Sequence, residues 1–124
     1  MRALWPIERE ILELAASEYP AVGAALKQQI ESVRVVSFEN SGSGFFSHLV
    51  VADDAPLLTE ASPLDPGHGT VAGIENGMGF CVFLTDGRLS MIDAYCNADE
   101  STAGIDFSTA VFQVMPWGPR ILKA

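Results

Sequence analysis

Hydrophobic positions in the first quarter of the chain recur at helical spacing. Ile7, Ile11 and Leu14 form one stripe, widened by Leu12, Ala15 and Tyr19. Pro6 suits the first turn of a helix, and Glu8 and Glu10 lie where the helix dipole favours anions. The pattern predicts a helix from Trp5-Pro6-Ile7 that ends at Pro20. A second helix is predicted from Ala21 to Ser32, with Val22, Leu26 and Ile30 on one face. Two short helices cannot stand alone, so their stripes must be buried against a sheet.

From Val33 the period falls to two. RVVSFE and GFFSHLVVA read as strands joined by Asn40-Ser41-Gly42-Ser43. Pairing Glu39 with Gly44 sets Phe38 opposite Phe45 and Val35 opposite His48. His48 then shares an apolar face with Phe46 and Val50. It is a candidate base or ligand, or else a hydrogen-bonded histidine at the core margin. Residues 53–69, with three prolines and four acidic residues, read as a long loop and a candidate site. Asn76-Gly77 and Asp86-Gly87 are two-residue turn signals that predict a meander with strands near 70–75, 78–85 and 88–95. Residues 97–104 read as a polar acidic loop. A last strand is expected over Phe107–Met115, before the tail Pro116-Trp117-Gly118-Pro119.

A tight Asp86-Gly87 turn pairs Leu84 with Leu89, Val82 with Met91, Phe80 with Asp93 and Met78 with Tyr95. Phe80, Val82, Leu84, Leu89 and Met91 then form the face on which the helices dock. Cys81 opposes Ile92, which leaves Cys96 about 13 Å away and predicts two free thiols. Asp93 is the anomaly: a carboxylate on an apolar face must be paired, hydrogen-bonded or neutral, or reach water. A backbone bond or a salt bridge to Arg34 would make it architecture; an open pocket with Tyr95 alongside would make it a site. Glu75 falls on the same face, about 11–12 Å away, too far for a shared-proton pair.

Charge narrows the function classes. The net charge is −9. Residues 41–106 carry ten acidic side chains and one basic one, Arg88. Such a surface disfavours nucleic acid and anionic membranes and attracts a basic protein or a cation. No apolar run is long enough to span a bilayer, and the start of the chain lacks a cleavable signal pattern, so a cytoplasmic protein is expected. Asp53, Asp65 and His68 are candidate metal ligands, with Asp54 and Glu60 nearby, but their spacing matches no known metal motif. No cofactor fingerprint or nucleophile elbow is present, and no cofactor is expected.

PIEREILELAASEYPAV, a hairpin and then GMGFCVFLTDGRLSMIDAY resemble small bacterial proteins of unknown function, some of them similar to immunity proteins encoded beside toxins. The resemblance rests on strand-and-turn motifs over residues 6–95. It implies an α+β fold and carries over no catalytic residue. The expectation is one α+β domain over residues 1–124, with two N-terminal helices on an antiparallel sheet of five or six strands, a hairpin plus a meander. The leading functional expectation is a non-catalytic, immunity-like acidic protein that binds a basic protein partner. The alternative is a small-molecule or metal-dependent enzyme with its site on the 53–69 loop or around Asp93, where Glu75, Tyr95 and His48 are further candidates. A third expectation is a homodimer through the tail around Trp117.

Overall fold

The computed structural model describes residues 1–118. Helices α1 (Pro6–Glu18) and α2 (Gly23–Ser32) precede strands β1 (Arg34–Asn40), β2 (Gly44–Val50), β3 (Leu64–Val71), β4 (Ile74–Thr85), β5 (Arg88–Cys96) and β6 (Phe112–Pro116). The six strands form one open antiparallel sheet in the order β1-β2-β5-β4-β3-β6. Both helices precede the sheet, so the chain is α+β. No described helix is long and apolar enough to cross a membrane.

Pro6 opens α1, and the Glu8 carboxylate accepts the backbone N–H of Trp5 at 2.7 Å, capping the first turn. Ile7, Ile11, Leu12 and Ala15 are fully buried and meet Phe45, Leu64, Phe80, Val82 and Ile92 from the sheet. The helices approach closely because Gly23 stands where a Cβ would lie 2.8 Å from the Ala16 carbonyl oxygen.

Buried polar groups tie these layers together. Glu8 is fully buried and takes both guanidinium nitrogens of Arg2, at 2.8 and 2.9 Å, together with the Ser47 hydroxyl. Arg2 stacks on Trp5 at 3.4 Å. Its backbone exchanges two hydrogen bonds with Val35, which fastens the N-terminus along the outer edge of β1. Gln29 is also fully buried. Its amide donates to the carbonyls of Pro56 and Gly87 and accepts the Leu89 N–H, so α2 holds both the 51–63 loop and the β4–β5 turn.

The strand registers differ from the sequence expectation in several places. Asn40, not Glu39, opens the first hairpin by pairing with Phe45, and a bulge at Val36 restores Val35 to the core opposite Leu49. The Asn40 side chain fixes this turn through the Gly42 N–H and the Thr102 carbonyl. Residues 64–69 are strand β3 rather than loop, so Asp65 and His68 lie on the sheet. Its glycines serve close packing: a Cβ on Gly69 would meet the Phe80 ring at 3.2 Å and the Gln113 carbonyl at 2.5 Å. The β3–β4 turn is Ala72-Gly73, and Gly77 keeps a positive φ of 75° as a bulge within β4. The final strand starts at Phe112, while Phe107 is buried from the preceding loop against Phe45 at 4.7 Å. The Asp86-Gly87 turn has the expected positive φ at both positions, 51° and 77°. Of the expected tail, Pro119 lies outside the described residues.

Candidate functional site

One residue decides what the sheet presents to solvent. Leu84 pairs with Leu89 as the turn dictates, but Phe83 pairs with Met91, which leaves Ser90 as an extra residue in β5. The Ser90 hydroxyl donates to the Phe83 carbonyl at 3.0 Å and holds the bulge. Beyond it every β5 side chain changes face. Ile92 and Ala94 enter the core, while Met91, Asp93 and Tyr95 turn outward. Asp93 therefore lies opposite Cys81 rather than Phe80, and Met91 does not contribute to the helix-docking face. The bulged register is the favourable one, because it buries two apolar side chains and spares a carboxylate from burial under the helices. Arg34 does not pair with Asp93; its guanidinium donates to the Val33 carbonyl.

The outer face is built in cross-strand rows. Tyr95, Gly79, His68 and Met115 form one row. Glu39, Phe46, Asp93 and Cys81 form the next, with Asp65 beyond in the β3 bulge. Ser37, His48, Met91 and Phe83 form the third. The helices occupy the opposite side, so among the described residues this face is open. Phe46, Phe83 and Met91 are half-buried, and Tyr95 is exposed.

Two features give the face its shape. Tyr95 lies down over Gly79, where a Cβ would sit 2.5 Å from the ring. Trp117, just after β6, stacks on His68 with centroids 4.7 Å apart and donates its indole N–H to Asp65 at 2.7 Å. The result is an aromatic platform with carboxylates set into it.

The electrostatics run one way. Burial pushes the Cys81 thiol up, and Asp65 and Asp93 push it further. Tyr95 is raised by burial and then by Cys81, Asp65 and Asp93. Asp93 is raised by burial alone. Among the described residues neither Asp65 nor Asp93 forms an ion pair. Cys81 and Cys96 are free thiols, as expected, but on opposite sides: Cys96 pairs with the buried Met78 and packs against the core. A thiol raised by burial and then by carboxylates is a poor nucleophile.

The structure gathers only some of the candidate residues. Asp93, Tyr95 and His48 share the outer face, but His48 is exposed opposite Ser37, and no hydrogen bond joins it to Asp93. Glu75 sits far along β4 beside the Gly77 bulge, where the Glu100 carboxylate accepts the N–H groups of Glu75 and Asn76. Asp65 and His68 meet through Trp117, whereas the Asp53 carbonyl binds Arg88 at the other end of the sheet. No three His, Cys, Asp or Glu side chains converge on a metal-sized site among the described residues. The sequence reading missed Phe46, Phe83 and Met91 as surface groups and Trp117 as the partner of His68. The alternation of Phe46, His48 and Val50 on β2 was the available signal for an outward apolar face. No family model, curated protein or solved structure matches the chain.

Proposed function

We propose that this chain is a cytoplasmic, non-catalytic binding protein of immunity-like type that takes a basic polypeptide partner on the open face of its sheet. The observation that carries the reading is the combination on that face: Phe46, Phe83, Met91, Tyr95 and Trp117 surround Asp65 and Asp93, and among the described residues neither carboxylate has a cationic partner. Aromatic and methionine side chains supply contact area at interfaces, and unpaired carboxylates select a basic partner and speed its approach. The raised pKa values of Cys81, Asp93 and Tyr95, due first to burial and, for Cys81 and Tyr95, also to the nearby carboxylates, fit the same reading, because a lysine or arginine brought among them would favour the ionised form of Asp93. The two free thiols fit a reducing compartment.

The test is capture from native lysate with wild-type protein and with the double variant Asp65→Lys/Asp93→Lys, at low and high salt. The proposal expects a partner retained by wild type at low salt, released as salt rises, and not retained by the double variant at any salt. Equal retention by both proteins would place the interface elsewhere, and retention by neither would remove the support for a binding role.

A further inference from the structure

The two edges of the sheet are treated differently. The β1 edge is blunted three ways: Arg2 pairs with Val35, Val36 forms a bulge, and Arg34 and Glu39 bring charge. Among the described residues, the β6 edge has none of these protections. Residues 107–118 carry no charged side chain at all, in a chain whose net charge is −9. A cleft of about 640 Å³ opens directly beside β6 and is floored by Leu4 and Pro6 from the helix side and by Phe112 and Val114 from the strand.

The backbone of β6 is set up to accept one more strand. Ala72 donates its N–H to the Val111 carbonyl, and β6 pairs with β3 in unbroken antiparallel register. Antiparallel ladders alternate, so Val111, Gln113 and Met115 face β3, while Phe112 and Val114 aim their N–H and C=O groups at the free edge. Their side chains meanwhile point toward α1 and line the cleft.

We infer that a second copy of this chain occupies this edge, with two β6 strands pairing antiparallel across a two-fold axis at Gln113. Phe112 of one protomer exchanges two hydrogen bonds with the copy of Val114, and the symmetry mates make two more. Each protomer's Phe112 and Val114 enter the other's cleft, and the two Gln113 amides face each other on the axis. Pro116, which lacks an N–H, ends the pairing. A second copy fits better than an unrelated strand because of charge. Two chains of −9 repel over most of their surfaces, and among the described residues, 107–118 form an uncharged stretch that also offers open backbone groups. The remaining charges at the cleft rim, Arg9 and Glu10, are one of each sign. Edge pairing leaves the open sheet face free, so it is independent of the binding role proposed above.

Size-exclusion chromatography with light scattering over a roughly hundredfold range of loading concentration tests it. The inference expects wild type to reach twice the 13.3 kDa of one chain as concentration rises. Val114→Pro removes a free-edge N–H without touching the β3 ladder, and Gln113→Lys sets like charges together on the axis. Each is expected to weaken the dimer at least ~10-fold. Circular dichroism identifies the folded variants, and either one alone suffices for the comparison. A wild type that stays monomeric at every concentration overturns the inference, as does a dimer that persists unchanged in a folded variant.

Discussion

At the residue scale, small side chains set the positions of large ones. Gly44 and Gly79 flank Tyr95 from the neighbouring strands, but for different reasons. A Cβ on Gly44, whose φ is +146°, would strike the Ala94 carbonyl, whereas one on Gly79 would strike only the far end of the Tyr95 ring. Gly79→Ala should therefore cost less than ~1 kcal/mol in chemical denaturation, while the Tyr95 ring resonances shift as the ring lifts away. Gly44→Ala should cost at least ~2 kcal/mol, because backbone must move. Asp93 gives a pH prediction. Its folded pKa is raised by burial, so its ionised form is the less stable one in the folded protein, and the associated stability is present at low pH and lost as pH rises through the folded pKa. Asp93→Asn should raise the melting temperature by ~2 °C at pH 7 and leave it unchanged near pH 3, as thermal denaturation at both values would show.

At the scale of elements, the helices and their packing stripes were readable from the sequence because period, Pro6 and Pro20 all agree. The strand faces were less so. Period two tells which residues alternate, but a single extra residue reverses the assignment, and Ser90 does that for the half of β5 that matters most. Nothing in the string SMID marks a bulge. The 64–69 segment misled for a related reason: Pro-Gly-His-Gly has turn composition, yet its glycines admit the Phe80 ring and the β6 backbone. Asn76-Gly77 likewise gave the right backbone requirement at Gly77 but the wrong structure around it. The elements depend on two buried polar anchors that sequence patterning passes over. Arg2→Ala would leave Glu8 charged at full burial and should destabilise by about 3 kcal/mol in urea. Gln29→Ala would orphan the Leu89 N–H and two carbonyls, with a loss of similar size, and should expose the 51–63 loop to proteolysis. Glu100 holds the Gly77 bulge from outside. Hydrogen bonds from Asn76 and Glu75 lower its pKa, so its contribution is present above the unfolded value and lost as pH falls through the folded one. Glu100→Gln should speed amide exchange at Glu75 and Asn76.

At the scale of the whole molecule, the two layers leave one sheet face bare among the described residues, and that face concentrates aromatic groups and carboxylates without a described ion pair. The acidic middle segment predicted from the sequence is thus divided: Asp65 and Asp93 join the platform, while Asp53 and Glu100 are turned to other strands and loops. The two thiols distinguish the faces chemically, since Cys81 lies at the centre of the open one and Cys96 pairs with Met78 beyond the other end of the same strands. Alkylation followed by mass spectrometry, carried out on the free protein and on the complex retained at low salt, reads both at once. The binding account predicts that labelling of Cys81 falls at least ~10-fold in the complex while labelling of Cys96 is unchanged. Equal labelling of Cys81 in free and bound protein would contradict it.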